Sequence, residues 1–192
     1  MPLIKASEDS KTIKEQWESM SSSSIIWHIQ NRDLPTVDCI VDVQMTGKLV
    51  GNWIDIPTGE INVVRTESTT FNGNAGGAVW HIRTHEDSGI YLGLAWGDPI
   101  LGDTYYNLSS GWGNASGQSY VHESMKDWWD FPVTDWPLKT EKANTKAWVQ
   151  NGVHIEIQSG ADPFKLKFKK ATPEEIANLD VGVTPFFHNS KL

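Results

Sequence analysis

The fold class is decided by the stretch Ile25-Ile26-Trp27-His28-Ile29-Gln30-Asn31. Residues 25, 27 and 29 carry large apolar side chains, and two of the three even-numbered residues, His28 and Gln30, are polar. A period of two is typical of a β-strand with one buried face. The turn-forming residues Asn31 to Pro35 follow and end the strand.

Runs of the same kind recur along most of the chain, separated by Gly, Pro, Asn and Asp. They cover residues 39–43, 48–50, 53–56, 62–66, 77–84, 90–96, 145–149, 153–158 and 164–169. Short strands at this spacing, without alternating helices, favour an antiparallel sandwich over a parallel sheet. The sequence therefore predicts a mainly β chain. We expect a single antiparallel β-sandwich with an N-terminal amphipathic helix and a second short helix.

The N-terminal helix is predicted over Ser7 to Met20. Ile13, Trp17 and Met20 form one apolar stripe at helical spacing. Serines 21–24 favour local hydrogen bonds over helix and act as a hinge. We divide the chain into a mobile helix and hinge, residues 1–24, and a sandwich, residues 25–192. The second short helix begins at Pro173, with Thr172 as its N-cap.

The charge balance argues against nucleic acid as a partner. The formal net charge is -8, and the one basic run alternates with apolar residues as the solvated face of a strand does. The run consists of Lys165, Lys167, Lys169 and Lys170. The single Cys39 excludes an intrachain disulfide and a cysteine-built zinc site.

Targeting signals are absent from the N-terminal region. Its first thirty residues hold charges throughout, without the apolar core of a secretion signal, and no apolar run in the chain could form a spanning helix. We expect a soluble protein that is stored in the cytoplasm, released, and active at a target cell membrane.

No constellation typical of an enzyme stands out. His81 and His85 lie four apart, which on a strand separates them by ~13 Å, too far to share a zinc ion. A phosphate-binding glycine loop and a nucleophile elbow are both missing. With 24 acidic residues, a glycosidase carboxylate pair stays open, but no two stand out. We expect no catalytic residue, metal or cofactor.

Residues 97–142 lack periodicity and are rich in aromatic side chains, apart from one predicted helical turn over Met125 to Trp129. A long irregular region inside a compact domain is usually functional. Exposed aromatic loops suit stacking on sugars or docking in a membrane interface. The alternative is a satellite core beneath the loops, formed by Trp112, Trp128, Trp129 and Trp136.

The order of these parts resembles actinoporins, sphingomyelin-dependent cytolysins that pair a mobile helix with a β-sandwich. The stretch 25–31 is similar to their first strand after the helix, and Pro57-Thr58-Gly59 is similar to their P-x-G turn. Further similar stretches are Gly76-Gly77-Ala78-Val79, the run Leu92 to Pro99, and Asn151 to Ile157. Gly97, Asp98 and Ile100 differ from the family's headgroup-binding residues, and Trp128-Trp129 matches its tyrosine cluster.

The resemblance implies a cytolysin that binds zwitterionic, sphingolipid-like headgroups, assembles into homo-oligomers on membranes and forms pores. The implied headgroup-binding residues are Trp96, Pro99, Tyr105, Tyr106, Trp112, Trp128 and Trp129. The implied membrane-inserting residues are Ile4, Ile13, Trp17 and Met20. As a helix, Pro2 to Met20 would extend ~28 Å, close to a bilayer core, but seven of these residues are charged. A lipid-lined pore fits that charge better than a dry helical bundle.

Two further expectations follow. The negative net charge argues against dependence on anionic lipid, and Asp127, Asp130 and Asp135 could contact a choline cation beside the indoles. The rival function is glycan binding, since fungal actinoporin-like lectins share this sandwich without a pore-forming helix.

Overall fold

Alternating apolar and polar residues build two β-sheets that face each other. The computed structural model describes residues 4–5, 24–68, 73–85, 88–98, 105–130, 144–159 and 163–179. Its elements are β1 (Ile4–Lys5), β2 (Ser24–Asn31), β3 (Asp38–Thr46), β4 (Lys48–Val50), β5 (Glu60–Glu67), β6 (Asn74–His85), β7 (Ser88–Asp98), β8 (Tyr105–Trp112), α1 (Ala115–Asp130), β9 (Asn144–Gln150), β10 (Val153–Ser159), β11 (Phe164–Lys170) and α2 (Pro173–Leu179). The predicted mainly β sandwich is confirmed.

The strands divide into sheet I and sheet II. Sheet I has the order β1-β5-β2-β11-β10-β9, with β4 also paired to β5, and sheet II has the order β3-β6-β7-β8. All pairs are antiparallel except β2 and β11, so sheet I is mixed where the sequence predicted an antiparallel one. These two strands are distant in the chain, so no tight turn forces them to run in opposite directions.

Aromatic side chains fill the space between the sheets. Five tryptophans are buried, namely Trp27, Trp53, Trp80, Trp96 and Trp148. The rings of Trp53 and Trp96 lie 5.3 Å apart, and those of Trp27 and Phe164 lie 4.8 Å apart. Half of the chain's 10 tryptophans therefore belong to the core.

Buried Asn31 holds the turn that follows β2. Its Nδ2 donates to the carbonyl oxygens of Leu34, Pro35 and Ile56, the last at 2.9 Å, and its Oδ1 accepts from the Leu34 N–H. Residues 53–56, predicted as a strand, form only one isolated bridge, between Val37 and Ile56. The side-chain amide of Asn31 replaces the ladder that a strand would have made there.

The region predicted to be irregular contains a strand and a helix, β8 and the 16-residue α1. The helix packs on the outer face of sheet II, where Val121 and Met125 contact Val79, Tyr91 and Ala95. Glycines allow the close approach. A Cβ on Gly93 would lie 2.7 Å from the Met125 Sδ, and a Cβ on Gly117 would collide with the Trp112 main chain.

The chain also departs from prediction near its N-terminus. Ile4 and Lys5, expected within a helix from Pro2, form β1 and pair with Ile61 and Glu60 of β5. The unpaired edge of β5 favours an extended strand there. The predicted helix over Ser7 to Met20 and serines 21–23 lie outside the described residues, so the helix stays a prediction.

Helix α2 confirms the predicted cap. The Thr172 Oγ1 accepts from the Glu175 N–H at 3.2 Å, and the Glu175 carboxylate accepts from the Thr172 N–H at 2.9 Å. This reciprocal pair is a capping box. The Lys169 ammonium, the Thr172 N–H and His154 lower the pKa of Glu175 to about 2.

Replacing Gly117 with Ala tests the close packing of α1. In an isolated helix this change would stabilise by about 1 kcal/mol. Here the added methyl meets main-chain atoms of Trp112 that cannot move aside, so we expect a loss of about 1–3 kcal/mol in the free energy of unfolding. Urea titration measures the difference, with Ser119→Ala on the exposed face of α1 as the control. A stabilised Gly117→Ala protein would contradict this packing.

The His28 side chain gives a second prediction, for pH. Burial, with a smaller effect of Lys165, lowers its pKa to about 4 from 6.5. Protonation then favours the unfolded chain, so the free energy of unfolding should fall as pH drops from 6.5 to about 4. His28→Gln should weaken this dependence in urea titrations across that window, whereas the Glu175 contribution is lost only below about 4.5. Equal pH dependence in both proteins would contradict the assignment.

Candidate functional site

One end of sheet II brings together three chain segments that the sequence analysis singled out. Strand β7 ends at Asp98, and β8 begins at Tyr105, which lies opposite Gly97. Helix α1 runs back along β8. Gly117 near its start lies against Gly111, whereas Val121 and Met125 lie over Gly93. Its last turn, up to Asp130, is therefore directed toward the same end. We call this end of the sandwich the aromatic end.

Sheet I reaches the aromatic end as well. The Trp96 Nε1 donates to the Asn74 Oδ1 at 3.4 Å, and the Asn74 Nδ2 donates to the Thr66 Oγ1, which joins β6 and β7 to β5. The ring of Tyr106 lies 6.4 Å from that of Phe164, which begins β11. Four connections therefore start and finish at the aromatic end, namely 69–72, 99–104, 131–143 and 160–162.

These four connections carry many apolar side chains in the sequence. Their own structure lies outside the described residues, and so does Pro99. Their apolar and aromatic residues are Phe71, Pro99, Ile100, Leu101, Phe131, Pro132, Val133, Trp136, Pro137, Leu138, Ala143 and Ala161. The opposite end of the sandwich has tight turns, at Gly59 and Asn151-Gly152. The longer connections that lead to that end, residues 32–37 and 51–58, also carry apolar side chains, but Leu34, Val37, Trp53 and Ile56 among them are buried.

Met45 is an aromatic-end residue that the sequence analysis missed. It lies in β3 next to Thr46, which pairs with Ala75, and its side chain is 42% exposed. A register shift between Gln44 and Thr46 places it in a bulge, so the alternation that would have buried it is broken. The sequence signal is an apolar residue directly before the turn at Gly47.

Two predicted headgroup residues are core residues in the structure. Trp96 is fully buried, with its ring 6.1 Å from that of Trp27, and Tyr106 is 4% exposed. Both occupy inward-facing positions of their strands, so neither ring reaches the surface. They form the floor of the aromatic end rather than its surface.

Trp112 is separated from the other predicted residues. It ends β8, whereas Tyr105 begins that strand, and seven residue steps at the rise of a strand place them about 23 Å apart. Its side chain is half-buried, and its main chain lies against Gly117 near the start of α1. Of the predicted set, the backbone gathers Tyr105, Trp128 and Trp129 at the aromatic end.

Of the four residues predicted to insert into a membrane, one lies in the described part of the chain. Ile4 lies in β1 opposite Ile61. Ile13, Trp17 and Met20 lie outside the described residues. Neither described helix has the length and apolar composition that a bilayer crossing requires.

Potential metal ligands and titratable side chains occur across the described residues. No three His, Cys, Asp or Glu side chains within the described ranges converge as metal ligands. Burial, with Asp42 and Asp55 nearby, raises the pKa of the Cys39 thiol to about 12, which keeps it protonated. His81 stacks on Tyr91 at 4.3 Å, and burial lowers the His81 pKa.

Comparison with known proteins supports the architecture. No family model matches the chain, and no curated protein matches it. The chain is similar in structure to a β-sandwich solved as the lipid-binding protein Nakanori, with a TM-score of 0.54 and 11% sequence identity. The match covers 82% of this chain and 75% of that one. At this identity the likeness shows a shared fold.

Proposed function

We propose that the chain is a lipid-binding protein that docks on membranes through its aromatic end. The observation that carries the proposal is the convergence of four connections, the last turn of α1 and the exposed Met45 at one end of the sandwich. A cluster of apolar and aromatic residues on one surface suits a membrane interface, where tryptophan and tyrosine lie at headgroup level.

Two likenesses support lipid as the ligand. The chain shares its fold with Nakanori, a lipid-binding protein. It also resembles actinoporins at the residues quoted above, and the resemblance implies that their headgroup-binding residues correspond to Gly97, Asp98 and Ile100 and their tyrosine cluster to Trp128-Trp129. These residues lie in the segments that meet at the aromatic end.

The charge of the chain supports a zwitterionic, sphingolipid-like headgroup. A net charge of -8 disfavours an anionic surface, whereas an indole face attracts a choline cation. We assign headgroup contact to Tyr105, Trp129 and Pro99, with Met45 as an added apolar contact. The acidic residues that neighbour the tryptophans in sequence, Asp127, Asp130 and Asp135, would attract the same cation.

The N-terminal segment is proposed to insert and form pores. Strands β1 and β2 both run antiparallel to β5 and flank it, so the connection 6–23 joins strands on opposite sides of β5. On the outer face of β5, Val63 and Arg65 are each 1% exposed. A helix over Ser7 to Met20 would span ~21 Å, close to the ~23 Å length of β5. We propose that this helix rests over β5 and leaves it at the membrane, where several copies assemble.

Single substitutions of the two adjacent tryptophans of α1 should distinguish an effect on vesicle binding from an effect on stability. Gly117, Val121 and Met125 face sheet II, and Trp128 continues that helical face, whereas Trp129 lies further round the helix. We expect Trp129→Ala to lower binding to phosphatidylcholine–sphingomyelin vesicles at least tenfold with an unchanged melting temperature. We expect Trp128→Ala to lower the melting temperature. Vesicle cosedimentation and calorimetry measure both.

The same assay separates the rival ligands. Binding should not require anionic lipid and should survive an increase in salt, which screens repulsion. Lys170→Ala, at the opposite end of β11, is the control and should bind like the unmodified chain. Binding that requires anionic lipid and disappears in salt would contradict the proposal. Glycan-array binding lost in Trp129→Ala, without vesicle binding, would identify a lectin.

Removing the N-terminal segment tests pore formation. A chain lacking residues 1–20 should still bind vesicles but should release no trapped dye, since the inserting helix is gone. The paired substitution Ile13→Glu and Met20→Glu keeps the full chain and should have the same effect, because it charges the apolar stripe. Glu15→Gln, off the stripe, is its matched control. Dye release by the truncated chain at the unmodified rate would rule out this mechanism.

A further inference from the structure

Strand β3 presents an unpaired edge. It is the outermost strand of sheet II, and its start is closed by the Val37–Ile56 bridge and by the Cys39 N–H, which donates to the Asp55 carboxylate at 2.7 Å. From residue 41 to residue 45, no other strand or loop in the described part of the chain hydrogen-bonds to its outer side. An open strand edge is a template for pairing with another chain.

The direction of the backbone groups can be assigned. The Val43 carbonyl points toward β6, since a Cβ on Gly76 would collide with it. In an antiparallel ladder, neighbouring residues point to opposite sides, so the N–H and C=O groups of Asp42 and Gln44 point outward. These four groups are available to a partner strand.

The side chains of this segment do little to block pairing. Val41, Val43 and Met45 are apolar, Asp42 is the one charged residue between positions 40 and 46, and proline and lysine are absent there. Register shifts flank the segment, beside Ile40 and Met45, and leave residues 41–44 regular. Ile40 is 38% exposed and Met45 is 42% exposed, so the edge offers apolar surface as well.

We propose that two copies of this chain associate by antiparallel pairing of β3 with β3 about a two-fold axis at Val43. Asp42 of one copy then exchanges backbone hydrogen bonds with Gln44 of the other, and the two Val43 residues form the close pair between them. Charge selects this register, because an axis at Asp42 would place two carboxylates opposite each other. The two sheets II become one continuous sheet of eight strands.

The association should be weak. A pairing of three residues on each side, Asp42 to Gln44, buries far less than the ~1,200 Å² of a stable interface. Both copies carry a net charge of -8, so their long-range repulsion weakens it further at low salt. The dimer should therefore depend on protein concentration and should strengthen as salt rises.

The geometry also has a consequence that rests on the proposed function. Because the paired strands run in opposite directions, the two aromatic ends point away from each other. A dimer could dock on two bilayers at once, whereas copies that assemble in one membrane must all point the same way. The β3 dimer is therefore a different assembly from the proposed pore.

Two variants with opposite charges at position 43, measured alone and mixed, test the pairing. Sedimentation velocity from about 10 µM to about 1 mM should show dimers for the unmodified chain. Val43→Asp and Val43→Lys should each be monomeric, because like charges meet at the axis, and an equimolar mixture of the two should associate again. The same two substitutions at exposed Ile176 of α2 are the control and should change nothing. A monomeric unmodified chain, or a mixture that stays monomeric, would overturn the proposal.

A cysteine at the axis provides a measurement that needs no charge. Residues in a close antiparallel pair have Cα atoms about 4.5 Å apart, within the range of a disulfide. Mild oxidation should therefore link Val43→Cys into a covalent dimer. Ile176→Cys should stay uncrosslinked, and Cys39 should not interfere because its thiol stays protonated. Failure of Val43→Cys to crosslink faster than Ile176→Cys would also overturn the pairing.

Vesicle clustering, followed by light scattering, distinguishes the two proposals. Clustering by the unmodified chain that is lost in Val43→Asp, with vesicle binding retained, supports the dimer. Clustering that persists in Val43→Asp contradicts it. If the chain dimerises but binds no vesicles, the β3 pairing is supported and the proposed lipid-binding function is contradicted.

Discussion

The position of the candidate site depends on the close approach of α1 to sheet II. Glycines at 93, 111 and 117 remove the side chains that would hold the helix away, and Val121 and Met125 fill the space that remains. This contact fixes the direction of the helix along β8. The last turn of α1, which carries Trp128 and Trp129, is directed toward the aromatic end for that reason and not because of any feature of the tryptophans themselves.

The strands were predictable from the sequence because their signal is local. Alternation over residues 25–31, 153–158 and 164–169 reports one buried face, and each run is a strand of the sandwich. The cap at Thr172 is equally local, since two residues three apart exchange hydrogen bonds. Features that depend on adjacent residues could be derived without a structure.

Only the last part of helix α1 was predicted, as one turn over Met125 to Trp129, because the stability of the helix comes from packing. Its first turns contain the weak helix formers Ser116, Gly117 and Ser119, and few apolar positions mark a stripe. The same applies to the site. Tyr106 looks like an exposed loop aromatic only while β8 is unknown, and the same strand carries Trp112 to the end opposite Tyr105. The gathering of Tyr105 and α1 depends on contacts distant in sequence.

The two ends of the sandwich differ in the interactions that stabilise them. At the end opposite the aromatic end, short turns are held by buried or local hydrogen bonds, such as those of Asn31, the Asn151 Nδ2 to the Gly89 carbonyl at 2.7 Å, and the Ala171 N–H to the Gly152 carbonyl at 2.9 Å. Changing those residues would leave polar groups unpaired. At the aromatic end, Trp96, Trp27 and Phe164 form a rigid floor that belongs to the core. The connections above that floor can therefore change in composition without disturbing the core, which is how a fold shared at 11% identity can carry different binding surfaces.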